Sequence, residues 1–262
     1  MTTAQFAHET PAGEFVRQVN RFTDRITRDS DSGPGEGPDA LGRWPVESGR
    51  YPLVWSRPCP WAHRARIVWG LLGLTEVISL ATVDPIRDED GWRFTLDPGG
   101  RDPVLGIKYL AEAYLATDPS FAGRVTVPAI IDTLSGYVVT NDYPQITLDL
   151  STEWVAHHRA GAPDLYPVAQ RPEIDALMLE VFTDLNDGVY RAGFASSQEA
   201  YQTGNDGCSG AGRCREAGVL GTTQRVVPHR PREWRCSTCR SGPGAACPNG
   251  SKPSGTPRSR VP

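Results

Sequence analysis

The chain has 262 residues, enough for one large domain or two small ones, with 39% hydrophobic and 22% charged residues. A formal net charge of −4 gives no basis for nucleic acid or an anionic membrane surface as a partner. The stretch from Met1 to His8 lacks the basic and apolar regions of a secretory signal, and no apolar run is long enough to span a bilayer. The expected location is the cytoplasm.

Composition divides the chain into three zones. Residues 1–40 hold Gly33-Pro34-Gly35-Glu36-Gly37-Pro38 and scattered charges, and are expected to form a poorly ordered or extended arm. Residues 41–201 have globular patterning. After Tyr201 there is a single Leu and no Ile or Phe, among many Gly, Pro, Ser, Arg and Cys. Such a segment buries too little apolar surface to offset its chain entropy, and residues 202–262 are expected to be disordered.

In the middle zone, Tyr51 to Ser56 reads as a short apolar strand, and Pro60 stands where a helix begins. The helix runs through Leu72, with Ile67, Val68, Leu71 and Leu72 at helical spacing, and Gly73 stops it. Val77 to Val83 is a β-branched run that reads as a buried parallel strand. A second helix is expected over Val104 to Ala116. A hairpin follows, with arms Val125 to Asp132 and Tyr137 to Thr140, then a third helix over Pro144 to Leu150. Leu177 to Tyr190 opens a separate helical region. The order βαβαββα is that of an α/β thioredoxin-like domain (residues 41–150), followed here by the start of an all-α domain (151–201). Val127-Pro128 falls where that fold carries a cis-proline facing its reactive cysteine.

Cys59 is the lone cysteine of the first two hundred residues and sits between the first strand and the first helix. Unpaired backbone N–H groups and the positive end of the helix dipole favour a thiolate there, and predict a pKa below the free-thiol value of about 8.5. Arg57, His63 and Arg64 add positive charge nearby in sequence. Ala62 stands where a second cysteine would close an internal disulfide, so the expected chemistry is monothiol: a mixed disulfide with one thiol, resolved by another. A buried structural cysteine is the alternative that the position alone leaves open.

Several stretches, in order, resemble the glutathionyl-hydroquinone reductases, the Xi class of the glutathione transferase superfamily. They are Gly49-Arg50-Tyr51, Cys59-Pro60-Trp61-Ala62-His63-Arg64, Asp90-Gly91-Trp92-Arg93-Phe94, Gly123-Arg124-Val125-Thr126-Val127-Pro128, Asn186 to Ala195, and Gln198-Glu199-Ala200-Tyr201. The resemblance covers residues 41–201. It implies a Cys59 thiolate that attacks the sulfur of an S-conjugated hydroquinone, with a second thiol releasing the enzyme as a disulfide is formed. It implies further that Trp92 and Arg124 line the thiol pocket, that Val127, before Pro128, pairs its backbone with the cysteinyl part of the substrate, and that Tyr190 contacts the hydroquinone oxygen. Read without the resemblance, Trp92 is equally a core aromatic and Tyr190 a helix-end packing residue. No metal is implied, and intact members of the family are expected to be homodimers.

One segment departs from the family. Where its γ-glutamyl-binding sequence reads Asn-Glu-Ser, this chain has Asn141-Asp142-Tyr143 followed by Pro144. Asp142 is one methylene shorter, Tyr143 replaces a small hydroxyl with a ring, and Pro144 removes an N–H donor. The thiol co-substrate is therefore glutathione or, better matched to this segment, mycothiol. Lineage drift at a tolerant position is the alternative.

The tail offers Cys236-Ser237-Thr238-Cys239, but one such pair does not make the two-knuckle zinc pattern. A shifted reading frame accounts for it better: Thr203 to Leu220, back-translated and read from the second codon base, permits an amphipathic helix of the family's kind. On that reading several helices of the second domain, and its dimer contacts, are missing. Low stability and weak activity follow for this chain. The competing functions are a glutaredoxin-like or omega-type thiol transferase, and an inactive truncated relative.

Overall fold

A computed structural model of the chain describes residues 13–206. The fold centres on a four-stranded mixed sheet in the order β4-β3-β5-β6. Strand β3 (Leu53–Ser56) pairs parallel with β4 (Leu80–Val83) and antiparallel with β5 (Ala129–Ile131), which continues antiparallel to β6 (Val138–Thr140). A smaller parallel pair, β1 (Arg25–Thr27) with β2 (Arg43–Pro45), precedes it. Helices α1 (Pro60–Leu72), α2 (Leu110–Thr117) and α3 (Tyr143–Thr152) complete the thioredoxin-like unit.

Because successive strand residues face opposite sides, the sheet builds two cores. Val54, Ala129, Ile131 and Val138 pack with Phe94, Leu110 and Tyr114 on the α2 side. Leu53, Ile130 and Val139 pack with Trp69, Ile146 and Trp154 on the side of α1 and α3. A buried ion pair ties the sheet to the chain before it: Arg50 Nε donates to Asp132 Oδ1 at 2.6 Å, with both side chains almost wholly out of solvent.

Helix α1 begins at Pro60 with Cys59 as its N-cap and ends at Gly73, whose φ of +74° is the left-handed conformation that closes a helix. A Cβ on Gly73 would lie 2.6 Å from Arg159 Cβ, so the position excludes a side chain on both counts. Of the residues at helical spacing, Leu72 is buried and Val68 packs on the core, but the other two are not buried. Ala62, Ala65, Trp69 and Leu72 are buried, while Ile67 and Leu71 are exposed. The buried stripe combines two small residues with Trp69 and Leu72, which join the core shared with α3.

Other boundaries move for local reasons. Asp102 accepts from the N–H groups of Val104 and Leu105, and Gly106 takes a positive φ, so α2 starts at Leu110 and not at Val104. The N–H groups of Val77 and Ile78 close the 3₁₀ turn Leu74–Glu76 by donating to Leu74 O, so the second strand begins at Leu80 and not at Val77. The expected third helix is extended by a residue or two at each end.

The arm is corrected. Phe15, Phe22 and Ile26 are buried and β1 lies in this segment, while residues 34–38 are exposed. Phe22 meets Tyr114 edge-on at 5.2 Å and Phe121 at 5.7 Å. After α3 come α4 (Arg171–Glu180), a π-helical turn (Val181–Asn186) and α5 (Gly188–Gly193). The helix expected over Leu177 to Tyr190 thus contains a wide turn, in which the Asp187 N–H donates to Phe182 O. Residues 198–206 are helical, so the expected disorder does not begin at 202. The rest of the tail, with its cysteine pair and proposed frame shift, lies outside the described residues.

Candidate active site

The turn between β3 and α1 delivers Cys59 to the helix N-terminus, with its backbone N–H bonded to Ser56 O and its carbonyl accepting from His63 N–H. Across from it the Val127–Pro128 peptide is cis. The Cys59 thiol donates to Val127 O, with Sγ 3.5 Å from that oxygen. Around the thiol is a cavity of about 380 Å³. Of the residues marked from sequence, Cys59, Trp92, Arg124, Val127, Tyr143 and Tyr190 all line it. Pro128 is buried directly behind Val127. Asp142 does not line this cavity: it is the N-cap of α3 and its Oδ1 accepts from Asn20 Nδ2 at 3.3 Å.

The cavity has two sides of different character. On one, Trp92 lies beneath the Arg87 guanidinium at 5.1 Å. Gln18 brackets the Arg124 peptide, accepting from its N–H and donating to its carbonyl, each at 2.7 Å. On the other, Phe15, Trp61, Tyr190 and Phe194 form an aromatic wall. Trp61 Nε1 donates to Tyr190 Oη at 2.8 Å, and the Trp61 ring meets Tyr143 edge-on at 4.6 Å. Tyr143 also lines a second cavity of about 580 Å³, shared with Arg17, Arg64, Met178 and Phe182.

The expectation of a lowered Cys59 pKa is corrected. Burial pushes the thiol up, and hydrogen bonds from the Ala62 and Trp61 N–H groups, with the charges of Arg87 and Arg17, offset only part of that. The cations are also not those expected. His63 Nε2 is turned to Arg57 O, and Arg64 reaches Met178 Sδ at 3.2 Å. Burial likewise pushes Tyr143 well up from the ordinary tyrosine range.

Sequence reasoning missed Arg17, Gln18 and Phe15, all in the segment read as an arm. Its aromatic residues, Phe15 and Phe22, were the available signal. Trp61, Asn141 and Phe194 fell inside quoted motifs without being assigned a place in the site. Among the described residues there is no cluster of three or more His, Cys, Asp or Glu able to hold a metal ion. Nor is any described helix long and apolar enough to cross a membrane.

No protein-family profile matches the chain. It is 39% identical over 191 residues to the glutathionyl-hydroquinone reductase YqjG of Escherichia coli, covering 72% of this chain and 57% of that protein. It is 42% identical over 161 residues to the glutathionyl-hydroquinone reductase PcpF of Sphingobium chlorophenolicum, covering 60% and 50%. Among solved structures, the Xi glutathione transferase of Phanerochaete chrysosporium superposes with a TM-score of 0.70 at 30% identity, over 79% of this chain and 68% of that one. The chain belongs to the Xi class of the glutathione transferases. A glutathione-bound structure of YqjG superposes on it with a TM-score of 0.66 at 34% identity, over 80% of this chain and 67% of that one. The chain spans only about half the length of the curated relatives it matches, 57% and 50%.

Proposed function

We propose that this Xi-class chain is a thiol-dependent reductase of S-conjugated hydroquinones, with Cys59 as nucleophile. The observation that carries the reading is Cys59 at the start of α1, facing the cis Val127–Pro128 bond, in a cavity with a thiol side and an aromatic side. The thioether sulfur would sit at Cys59, its peptide or sugar portion toward Trp92, Arg124 and the Val127 backbone, and its aryl ring against Trp61 and Tyr190. Attack forms an S–S bond as the sulfur–aryl bond breaks. A second thiol then attacks the mixed disulfide, freeing Cys59 and carrying the oxidising equivalent away as a disulfide.

The thiol is glutathione or mycothiol. Glutathione is favoured by the bound relative, while the Asp142-Tyr143-Pro144 segment favours mycothiol. In support of the latter, the Tyr143 ring stands in the first turn of α3 against Trp61, Pro144 lacks a donor there, and Asp142 is engaged with Asn20. The reaction belongs in the reducing cytoplasm, where such thiols are abundant, and a homodimer is part of the reading only where the second domain is whole.

The test is release of free hydroquinone from a glutathionyl-hydroquinone by the full chain, with Cys59→Ser beside it. Loss of release in the variant is expected, and equal release by both would sink the reading. Supplying glutathione or mycothiol as the second thiol decides between them by kcat/KM. A glutaredoxin-like or omega-type transferase would instead reduce mixed disulfides and leave the aryl conjugate intact.

A further inference from the structure

The aromatic wall of the Cys59 cavity carries a cation that the described chemistry has not used. Arg17 comes from the segment before β1. Its guanidinium lies 4.5 Å from the centres of both the Trp61 and Tyr190 rings and 5.4 Å from that of Phe15. Asp187, at the end of the π-helical turn, accepts from Arg17 Nε at 2.6 Å and fixes the group in place. Only one edge of the fork is engaged in this way: Nη2 is buried and has no hydrogen-bond partner. A guanidinium held over aromatic rings, with donor capacity left over, is a ready partner for an oxyanion on a ring lying against the same wall.

Resting on the reductase reading above, we propose that Arg17 stabilises the phenolate oxygen of the departing aryl group, with Asp187 as its positioning residue. The electron accounting requires such an acceptor. Cys59 Sγ forms a bond to the thioether sulfur as the bond from that sulfur to the ring carbon breaks. In the keto tautomer of the conjugate that carbon already carries a hydrogen. The released pair therefore restores the aromatic ring, and its charge appears on the ring oxygen. That oxygen becomes a phenolate in the same step, before any proton reaches it. Tyr190 can donate one hydrogen bond to it, and Arg17 supplies the charge. The other charged groups near Arg17 are Asp187, Arg191 (its Nε 3.9 Å from Asp187 Oδ2), Arg64 and Asp175 in the neighbouring cavity, Asp142 at the start of α3, and Arg124 in the Cys59 cavity. Arg87 stands on the Trp92 side.

The test uses 4-nitrophenol, whose phenolate is coloured, titrated against pH in the presence of excess full-length chain. The wild type is expected to lower the bound probe's apparent pKa by about one pH unit, the effect of a close opposite charge. Arg17→Gln should abolish the drop, Arg17→Lys should keep part of it, and Arg87→Gln should leave most of it. An unshifted probe with wild type, or an equal drop with Arg17→Gln, overturns the proposal. The reading of the whole site is judged separately by Cys59-dependent release of hydroquinone. A shifted probe without that release would keep the Arg17 subsite and sink the reductase reading. Release with an unshifted probe would do the reverse.

Discussion

The hydrogen bond from Trp61 to Tyr190 joins the first turn of α1 to α5, and its removal is the sharpest check on how the aromatic wall is built. Trp61→Phe deletes the Nε1–H donor and retains a ring to face Tyr143 and Phe182, at centroid distances of 4.6 and 6.0 Å in the native chain. The bond is 2.8 Å long, half-buried and between neutral groups. Neutral hydrogen bonds contribute about 1 kcal/mol net, and that is the coupling expected between the two residues. A double-mutant cycle with Tyr190→Phe isolates it. In urea unfolding, the double variant should be about 1 kcal/mol more stable than the sum of the single losses implies. In turnover, a 1 kcal/mol loss of positioning corresponds to a roughly fivefold fall in kcat for Trp61→Phe. Tyr190→Phe should fall further, because it also loses the hydroxyl facing the substrate. Losses that add within about 0.4 kcal/mol in both assays would refute the idea that Trp61 holds Tyr190 in place.

Asp132→Ala should destabilise the chain by about 3–5 kcal/mol in denaturant unfolding, because it strands Arg50 in a buried position. Burial pushes the Asp132 carboxyl up, but hydrogen bonds from Arg50 and Ser135 hold it below its ordinary range. Its contribution is therefore complete above the unfolded value of about 3.9 and is lost as pH falls through the lower folded value, so an acid unfolding curve should move to higher pH when Asp132 is removed. For Cys59, the rate of alkylation by iodoacetamide should rise with pH through an inflection above the free-thiol value of about 8.5. An inflection near 7 would contradict the dominance of burial. Tyr143→Ser should lower KM for glutathione more than for mycothiol by opening the α3 N-terminus, at a cost of about 1 kcal/mol in lost edge-on contact with Trp61. Equal changes in the two KM values would remove Tyr143 from thiol selection.

The thioredoxin-like core was legible because its signals are local. Pro60 and Gly73 bracket α1, and the apolar runs of β3 and β4 alternate into two cores as period-two strands must. What was not legible depends on contacts across the chain. The segment before β1 is polar by composition, and it is ordered because Phe22 reaches Tyr114 and Phe121, and Arg17 reaches Asp187. Sequence spacing marked Ile67 and Leu71 as core, whereas the buried stripe of α1 runs through Ala62 and Ala65. Which face of the helix is buried is settled by tertiary packing, and periodicity within one helix does not record it.

Cys59 shows the same division at the level of a single atom. Position in the sequence places the sulfur at a helix N-terminus, and the Ala62 and Trp61 N–H groups do favour its thiolate. Burial is a tertiary quantity, and here it opposes those groups and exceeds them. The charges that lean back toward the thiolate, Arg87 and Arg17, are brought by segments 28 and 42 residues away in sequence, and neither is among the cations adjacent to the cysteine in the chain. Arg17 is held by Asp187 from the helical region after α3. The charge that Arg17 brings to this thiol therefore depends on the segment before β1 and the turn at Asp187 being in place together. A perturbation of either should reach Cys59 through charge, without touching the strand-to-helix turn that carries it.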